Sequence, residues 1–268
     1  MDRIRVAVSG AAGRMGRAAV RAIVRESDLV LVAAVGHERA IGEDVGEVAG
    51  VGRLDVRVAA DIHAALAAQP QVLVEFAPGR VAAEHAQAAL ETGVRPVVGS
   101  TGLGADDLAR LTVTAAERRL GAVVAPNFAI GAVLMMEFCR VASRFMPHVE
   151  IIELHHDRKR DAPSGTAVKT ARLIAAERGA APPQAVTEEE LVTGVRGGQS
   201  DGVRVHSVRL PGLIAHQEVI FGGPGQILTI RHDSLGEESF MPGMLLAIRR
   251  VGGLQGLVYG LEHLLGLR

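Results

Sequence analysis

The stretch Ile4-Arg-Val-Ala-Val-Ser-Gly-Ala-Ala-Gly-Arg-Met-Gly16 decides the fold that we predict for this chain. It opens with the β-branched residues of a buried strand, Ile4 to Val8, and runs directly into glycines at positions 10, 13 and 16. A helical pattern then continues to about Arg25. Strand, glycine turn and helix are the parts of a dinucleotide-binding unit, because glycine lets the backbone approach a pyrophosphate that the helix N-terminus holds. The spacing is G-x-x-G-x-x-G rather than G-x-G-x-x-G, and a turn required only by packing is the alternative.

Strands and helices alternate through the first half of the chain. The predicted strands after the first are Leu29 to Val35, Val56 to Val58, Val72 to Phe76, Val94 to Val98 and Ala122 to Val124. The predicted helices between them include Ile62 to Ala68, one that follows Gly79 and runs to about Thr92, and Asp106 to Arg119. This alternation predicts an α/β fold with a Rossmann-like, doubly wound parallel sheet and right-handed crossovers.

Ligands of such sheets bind beyond the carboxyl ends of the strands, and the residues there are our candidate cofactor-binding residues. They are Gly10, Ala11, Ala12, Gly13, Arg14 and Met15 after the first strand, Gly36, His37 and Glu38 after the second, Gly99, Ser100 and Thr101 after a later one, and Ala125, Pro126, Asn127 and Phe128 after the last. An acid after the second strand favours NAD and a cation favours NADP. Glu38 and Arg39 supply both, so the preference stays open, and a solvated turn is the alternative.

The pattern changes in the second half of the chain. A long apolar helix (Ala132 to Phe145) leads to a strand and then to another helix. After that helix, three strands follow without helices between them, at Val203 to Leu210, Leu213 to Phe221 and Ile227 to His232. These strands predict an open antiparallel or mixed sheet in a second, α+β domain. The segment 181–202 is rich in Pro, Gly and acidic residues and is interpreted as a solvated excursion. An amphipathic helix is predicted from Ser239 to Arg250.

The candidate chemistry lies in the stretch Glu150-Ile-Ile-Glu-Leu-His-His-Asp-Arg-Lys-Arg-Asp-Ala-Pro-Ser-Gly-Thr-Ala167. His155 and His156 follow an apolar strand, Lys159 adds positive charge, and Ser164 is a plausible N-cap of a helix that continues to about Ala180. Histidines can exchange protons near neutral pH, and the free N–H groups of a helix start suit a carboxylate or phosphate. The pattern therefore indicates a proton donor beside an anion site, the alternative being a solvated basic loop before a capped helix.

Composition narrows the possible partners. The chain has 268 residues, a formal net charge of -1 and one cysteine, Cys139. The charge gives no reason to expect nucleic acid or an anionic membrane as partner, so a small molecule is expected. Cys139 lies in an apolar helical run and is expected to be a buried, inert thiol. The residues contain no Cys/His cluster or H-E-x-x-H, and we expect no metal site.

The start of the chain and its hydropathy bear on location. Met-Asp-Arg-Ile-Arg leads at once into a strand without the apolar core of a signal peptide. No window reaches the roughly 18 apolar residues of a membrane span. We expect a cytoplasmic protein. His216 and the run His232-Asp233-Ser234 suggest metal ligands or a triad, but strand alternation favours structural roles for them.

The order His-His-x-x-Lys-x-Asp-Ala-Pro-Ser-Gly-Thr-Ala, at positions 155–167, resembles the signature of the dihydrodipicolinate reductase family. Three further segments, 125–132, 215–219 and 229–234, resemble that family in the same order, so the resemblance covers nearly the whole chain. It implies reduction of dihydrodipicolinate, formed from 4-hydroxy-tetrahydrodipicolinate, to tetrahydrodipicolinate with NADH or NADPH, on the diaminopimelate route to lysine. Where many relatives carry a polar residue and a cation, this chain has Ala77 and Pro78.

The resemblance also implies roles for particular residues. His155 is the expected general acid and Lys159 a donor near it, while His156, Gly165 and Thr166 are expected to bind the dicarboxylate substrate. The last helix is expected to return to the first domain, which predicts a dinucleotide-binding domain of residues 1–127 and 236–268 and a substrate and oligomerisation domain of residues 128–235. A homotetramer is implied. The alternatives are another two-domain oxidoreductase of the amino-acid dehydrogenase type and a non-catalytic NAD(P)-sensing protein.

Overall fold

A computed structural model describes residues 2–183, 186 and 189–267 of the chain. It divides into two compact units, Met1–Ile130 with Glu237–Arg268, and Gly131–Gly236. The first unit is therefore built from two separate parts of the chain. The expected domain boundaries, after residues 127 and 235, lie close to these divisions.

Strands and helices are numbered along the chain. The strands are β1 (Ile4–Ser9), β2 (Leu29–Val35), β3 (Val58–Ala59), β4 (Val72–Glu75), β5 (Arg95–Val98), β6 (Gly121–Val124), β7 (His148–His155), β8 (Gly198–Ser200), β9 (Val203–Arg209), β10 (Ala215–Gly223), β11 (Gln226–Ser234) and β12 (Gly256–Tyr259). The helices are α1 (Arg14–Ile23), α2 (Val45–Ala49), α3 (Ile62–Leu66), α4 (Gly79–Glu91), α5 (Ala105–Arg118), α6 (Ile130–Ala142), α7 (Gly165–Arg178) and α8 (Met241–Val251). Short 3₁₀ segments occur at Glu38–Ala40, Glu237–Phe240 and Leu261–His263.

The first unit contains a parallel sheet of seven strands in the order β12-β6-β5-β4-β1-β2-β3. Its strands are paired in parallel throughout. The chain moves outward from β1 to β2 and β3, then starts again at β4 and moves the other way. The loops that follow β1 and β4 therefore diverge, which opens the crevice where doubly wound sheets bind ligands. The predicted fold class of this half is confirmed.

Buried aliphatic residues line both faces of this sheet, as a parallel sheet covered by helices requires. One core cluster lies against α3 and α4 and includes Ala7, Val35, Ile62, Leu66 and Leu73. A second lies beneath α4 and α5 and includes Leu90, Val98, Leu111 and Val124. The core is thus made of Ala, Val, Leu and Ile, in agreement with an aromatic content of 3%.

The second unit contains a five-stranded mixed sheet in the order β11-β10-β7-β9-β8. β7 and β9 are parallel and the other neighbours are antiparallel. The face toward α7 is buried, and Gln217 of β10 donates a hydrogen bond to Oγ1 of Thr170 in that helix at 2.8 Å. On the opposite face Ile227 of β11 is 75% exposed. The predicted open, mixed sheet is therefore confirmed.

Two strands were missed by the sequence analysis. β12 was not predicted, and it pairs in parallel with β6 and extends the large sheet. β8 lies in the predicted solvated excursion and pairs with β9 through its backbone. Both are short, three or four residues, and neither has the alternation that marks a strand. Positions 184, 185, 187 and 188 of that excursion lie outside the described residues.

Helix boundaries differ slightly from expectation. α7 begins at Gly165, directly after the predicted N-cap Ser164, and ends at Arg178 rather than near Ala180. α8 begins at Met241 rather than Ser239, where a 3₁₀ turn precedes it. Within the described part of the chain, no helix is both long and apolar enough to cross a bilayer.

Candidate active site and cofactor cradle

The turn after β1 brings backbone close to backbone. Gly10 has φ of +72°, and a Cβ placed on it would lie 2.9 Å from the carbonyl carbon of Phe76. A Cβ on Gly16 would lie 2.1 Å from the carbonyl oxygen of Gly10. The amide of Ala11 donates to the carbonyl of Val35 at 2.9 Å, which ties the turn to β2. Only glycine fits at positions 10 and 16, so the turn holds its shape at the head of α1.

The head of α1 has the features of an anion site. Its N-cap is Gly13, which offers no side-chain cap to the N–H groups of the first turn. Those groups have no acceptor within the helix, and they lie at the positive end of its dipole. Arg14 and Met15 are the first helical residues. A pyrophosphate fits this turn, because the glycines remove side chains from its path and the amides supply donors.

The loops after β4 and β5 are tied together by a buried polar cluster. Glu75, fully buried at the end of β4, accepts hydrogen bonds from the amide of Ala77 at 2.5 Å and from Nδ1 of His85 at 2.9 Å. Nδ1 of His85 also lies 3.0 Å from Oγ of Ser9. Ser100 donates to the carbonyl of Ala77 at 2.6 Å. This cluster, Ser9, Glu75, Ala77, His85 and Ser100, fixes the backbone at the carboxyl ends of β1, β4 and β5.

Two phenylalanines close the same edge of the sheet. The rings of Phe76 and Phe128 pack edge to face with centroids 6.3 Å apart. Gly99 lies against them, since a Cβ there would be 2.4 Å from the ring of Phe76. Oδ1 of Asn127 accepts from the amide of Ala129 at 2.8 Å, which shapes the turn after β6. The predicted residues 99–101 and 125–128 therefore gather at one end of the sheet.

The residues after β2 stand apart from this cluster. The amide of Gly36 donates to the carbonyl of Ala59 at 3.3 Å, and His37, Glu38 and Arg39 are exposed around a 3₁₀ turn. Glu38 and Arg39, the acid and the cation expected near the adenosine ribose, are thus both accessible to a ligand at the end of β2.

In the second unit, β7 ends in a buried ion network. Glu153 is fully buried, and its Oε2 lies 2.5 Å from Nδ1 of His155, two residues further along the same strand. Arg209, opposite His155 on β9, binds the same carboxylate through both Nη atoms, at 3.0 Å and 2.8 Å. Alternate residues of a strand share a face, so Glu153 and His155 both lie on the side toward α7.

The Glu153 carboxylate is held ionised by its neighbours. Burial by itself would raise its pKa, but hydrogen bonds from His155, Arg209 and Ser207 outweigh this effect and lower the pKa from 4.5 to about 2. A buried carboxylate between a guanidinium and an imidazole therefore stays charged at neutral pH.

Arg209 also reaches the loop that carries Lys159. Its Nη2 donates to the backbone carbonyl of Asp161 at 2.8 Å. Nζ of Lys159 in turn donates to both carboxylate oxygens of Asp161, each at 2.8 Å, and this contact lowers the pKa of Asp161. Lys159 is mostly buried, with 20% of its side chain exposed. One guanidinium thus joins the strand end that holds His155 to the loop that holds Lys159.

α7 begins at an open position. The predicted N-cap, Ser164, is confirmed, because its Oγ accepts from the amide of Ala167 at 3.2 Å. This bond satisfies the amide of Ala167, the third of the helix, while the amide of Gly165 has no acceptor within the helix. A Cβ on Gly165 would meet no atom within 4 Å, so there is space above the helix start. The position suits a carboxylate.

His156 and its neighbours differ in part from expectation. Nδ1 of His156 is buried and, among the described residues, makes no hydrogen bond. Buried polar groups are nearly always paired, so this nitrogen is a candidate contact for a ligand. Asp157 and Arg158, which follow His156, are both exposed, and the described part of the structure contains no ion pair between them. The carboxylate next to His155 is Glu153 instead.

The remaining sequence candidates have structural roles. Cys139 is fully buried, as expected, and burial raises the pKa of its thiol to about 12. Nδ1 of His216 lies 2.6 Å from Oδ1 of Asp233 across the β10–β11 pair. Gly131 packs directly against the ring of His232.

Four residues were not identified as site residues from the sequence. They are Glu75 and His85 in the polar cluster of the first unit, and Glu153 and Arg209 in the ion network of the second. A signal existed for two of them. Glu75 and Glu153 are acids inside otherwise apolar strands, Val-Leu-Val-Glu-Phe and Ile-Ile-Glu-Leu-His, where a buried charge requires a partner. Their partners could not be read from the sequence, because Arg209 is 56 positions from Glu153 and belongs to another strand.

Profiles of known families match both halves of the chain. The profile described as dihydrodipicolinate reductase, N-terminus, matches residues 4–128, and that described as dihydrodipicolinate reductase, C-terminus, matches residues 131–265. The second match runs on into 237–265, which the structure assigns to the first compact unit.

Individual proteins are similar over nearly the full length. A 4-hydroxy-tetrahydrodipicolinate reductase of Moorella thermoacetica is 51% identical over 98% of this chain and 98% of the relative. The solved structure of a dipicolinate-bound dihydrodipicolinate reductase from Paenisporosarcina sp. TG-14 is 43% identical, with a TM-score of 0.86 over 97% of this chain and 99% of that chain. An amine dehydrogenase from Mycobacterium smegmatis has a TM-score of 0.68 over 95% of this chain and 94% of that chain but is 17% identical, which shows a shared fold alone.

Proposed function

The chain belongs to the dihydrodipicolinate reductase family, and on that premise we propose that it reduces dihydrodipicolinate, formed from 4-hydroxy-tetrahydrodipicolinate, to tetrahydrodipicolinate with NADH or NADPH. The family and the oxidoreductase class predicted from the sequence are confirmed by relatives that match almost end to end. The dehydrogenase alternative has support only at the level of the fold. This reduction is a step of the diaminopimelate route to lysine.

The proposal rests on a group of residues that the second unit brings together. A histidine held by a buried carboxylate, a mostly buried lysine and an open helix start are connected by Arg209 and the loop it binds. A proton donor and an anion site are what the reduction of a cyclic imine with two carboxylates requires of the protein. A cofactor-sensing protein would have no need of this arrangement.

His155 is the proposed general acid. Because the ionised Glu153 can only accept a hydrogen bond, Nδ1 of His155 must be the donor in that contact, which leaves Nε2 to exchange a proton with the substrate. The negative charge of Glu153 stabilises the imidazolium before the proton leaves. Lys159 is proposed to stabilise negative charge near the site of protonation.

The substrate carboxylates are proposed to bind at the start of α7. Gly165 and Thr166 stand in the first turn of the helix, where the dipole adds about 0.3–1 kcal/mol for a negative charge. The unpaired Nδ1 of His156 supports a role for it in substrate binding. In the relative from Paenisporosarcina sp. the bound molecule is dipicolinate, a planar dicarboxylate of the same class.

The first unit is proposed to bind the nicotinamide cofactor. Gly10, Ala11, Ala12, Gly13, Arg14 and Met15 would hold the pyrophosphate, and residues 99–101 and 125–128 the nicotinamide end. When bound, the reduced cofactor supplies the hydride. Gly36, His37 and Glu38 would contact the adenosine ribose. The exposed Glu38 and Arg39 can serve a ribose hydroxyl or a 2′-phosphate, which agrees with the use of either NADH or NADPH.

The second unit is also proposed to assemble the chain into a homotetramer. Ile227, 75% exposed, lies on the face of its sheet opposite α7, and Thr229 on the same face is exposed as well. An open antiparallel face with exposed apolar side chains commonly packs on a copy of itself. We place the enzyme in the cytoplasm, because its single cysteine is buried as a free thiol and its reaction is biosynthetic.

The decisive experiment is a coupled assay with the purified protein. Aspartate semialdehyde, pyruvate and the synthase that condenses them supply the substrate, and oxidation of NADH or NADPH is followed by absorbance. We expect oxidation with both cofactors, dependent on the synthase. Absence of oxidation with either, despite measured cofactor binding, would favour a sensing protein, and reduction of NAD(P)+ by amino acids would favour the dehydrogenase alternative.

Two variants test the assigned residues in that assay. His155→Ala and Lys159→Ala are each expected to lower kcat by on the order of 10²-fold or more, the usual loss when general acid catalysis is removed. Affinity for NADPH, measured by fluorescence, should stay within about 2-fold, because neither residue belongs to the first unit. Unchanged kcat in both variants would remove these roles.

A further inference from the structure

We infer that Glu153 and Arg209 are positioning residues for this reaction: the Glu153 carboxylate sets the tautomer and charge of His155, and Arg209 holds that carboxylate while anchoring the Lys159 loop. The inference rests on the proposed function and deepens it, since it names groups that act through His155 and Lys159 without touching the substrate.

The first support is the geometry around the carboxylate. Glu153 is fully buried, yet each of its oxygens has a cationic donor: Oε2 contacts Nδ1 of His155 at 2.5 Å, and both oxygens contact Arg209 in a two-pronged arrangement. A buried carboxylate costs several kcal/mol of desolvation, and a buried ion pair is often no more stable than an apolar replacement. Stability alone therefore does not explain why a charge occupies this position in an apolar strand.

The second support is that the Arg209 guanidinium binds two separate segments, the strand that carries Glu153 and the loop that carries Asp161. Nη2 binds both Oε1 of Glu153 and the carbonyl oxygen of Asp161, each at 2.8 Å, and Nη1 also binds the carbonyl of Val208. Asp161 is the residue whose carboxylate holds Lys159. The planar guanidinium presents its donors in a fixed fork, so a movement of the loop relative to the strand would break one of these bonds.

The charged groups linked to His155 through this network of contacts come from three elements. Glu153 lies on its own strand, Arg209 lies on β9, and Lys159 with Asp161 lies in the loop after β7. On β10 the residue opposite His155 is Ala215, which carries no charge. Glu153 is the only carboxylate among them in direct contact with the imidazole, so its removal should change the protonation of His155 more than any other substitution in this group.

The test compares Glu153→Gln and Glu153→Asp with a matched control, Glu177→Gln. Glu177 also binds two cationic groups, Arg140 and Arg144, but it lies 12 positions after Gly165 in α7, roughly 18 Å along the helix.

We expect Glu153→Gln to lower kcat about 10- to 100-fold with KM for the substrate within about 3-fold. The alkaline limb of the kcat profile should move to lower pH, because the imidazolium loses its counter-charge. Glu153→Asp should recover much of kcat, and Glu177→Gln should retain the wild-type kcat and pH profile.

Arg209 is tested by Arg209→Lys and Arg209→Met. Because this residue also anchors the Lys159 loop, we expect Arg209→Met to lower kcat and to raise KM for the substrate, each by about 10-fold, with NADPH affinity unchanged. Lysine cannot bind two groups in a fork, so Arg209→Lys should restore only part of kcat. A wild-type kcat in Arg209→Met would overturn the role of this residue.

A second measurement keeps the inference testable if a variant fails to fold or if the wild-type protein shows no turnover. ¹⁵N NMR of the histidine rings, with the His155 signal assigned by its loss in His155→Gln, reports which nitrogen carries the hydrogen. In the wild-type protein we expect the Nδ1–H form. An Nε2–H form there, or an unchanged kcat and alkaline limb in folded Glu153→Gln, would overturn the inference while leaving the proposed function intact. No turnover in the wild type with an Nδ1–H ring would count against the function alone.

Discussion

Nη2 of Arg209 lies 2.8 Å from Oε1 of Glu153, although the two residues are 56 positions apart in the chain and on different strands. This contact, together with that from His155, keeps the Glu153 carboxylate ionised inside the second unit, with a pKa lowered to about 2. The same contact should also make the stability of the fold depend on pH, independently of catalysis.

The first prediction concerns stability and pH. A carboxyl whose pKa is lower in the folded than in the unfolded protein stabilises the fold above the unfolded value, here 4.5, and loses that contribution as pH falls toward about 2. Glu153→Gln should therefore be less stable than the wild type at neutral pH, and the difference should shrink below about pH 4.5. Denaturant unfolding of both proteins across this range measures it. A difference that is constant with pH would show that the charge of Glu153 is not the cause.

The second prediction concerns Glu75 in the first unit. Glu75→Ala removes the acceptor of the Ala77 amide and of His85, so the loop after β4 should lose its fixed shape. Unsatisfied buried donors cost about 1–3 kcal/mol, and we expect the Kd for NADPH to rise roughly 10-fold. Glu75→Gln is the matched control, because its amide oxygen can still accept the hydrogen bond from the amide of Ala77. Equal Kd values for the two variants, measured by calorimetry, would contradict a role for the carboxylate in shaping the loop.

The third prediction separates binding from stability at the start of α7. Gly165→Ala adds a methyl group where no atom lies within 4 Å and where φ is not positive, so Tm should stay the same or rise. The methyl group would occupy space proposed for a substrate carboxylate, and KM should rise about 10-fold, as the loss of a hydrogen bond to a charged group implies. Gly198→Ala, at an equally open glycine of β8, should alter neither quantity. An unchanged KM in Gly165→Ala would place the carboxylate elsewhere.

The fourth prediction concerns Cys139. Burial raises the pKa of its thiol to about 12, and the thiolate is the reactive form. Iodoacetamide at mildly alkaline pH should leave the folded enzyme unmodified and fully active, whereas the denatured chain should take up one equivalent. Mass spectrometry of the two samples provides the measurement. Rapid alkylation of the folded enzyme would contradict the inert role.

The fifth prediction tests the proposed assembly. Ile227→Glu places a charge on the exposed face of β11 and should shift the protein from a tetramer to smaller species, as seen by light scattering after gel filtration. Val113→Glu is the matched control, since Val113 is also exposed, at 56%, but lies on α5 of the first unit. A tetramer in both variants would show that the assembly does not use this face, and a monomeric wild-type protein would remove the proposal.

The parts of the fold that follow from local pattern were predicted well. The glycine turn after β1, the alternation of β4, α4, β5, α5 and β6, and the cap at Ser164 each depend on residues close together in the chain. The two short strands β8 and β12 were missed, because they owe their existence to a neighbouring strand rather than to their own residues.

For the site, the sequence by itself determined which residues could do chemistry: His155, Lys159 and the start of α7 lie within one short segment, and the glycine turn lies in another. Only the tertiary structure decided what holds them. The Glu153 carboxylate, which contacts His155 on the same strand, gains Arg209 from β9, and Ser9 and Glu75 meet at His85. The physical reason is that a side chain's partner across a sheet depends on strand order and register, which arise from the packing of the whole unit and leave no local pattern in the sequence.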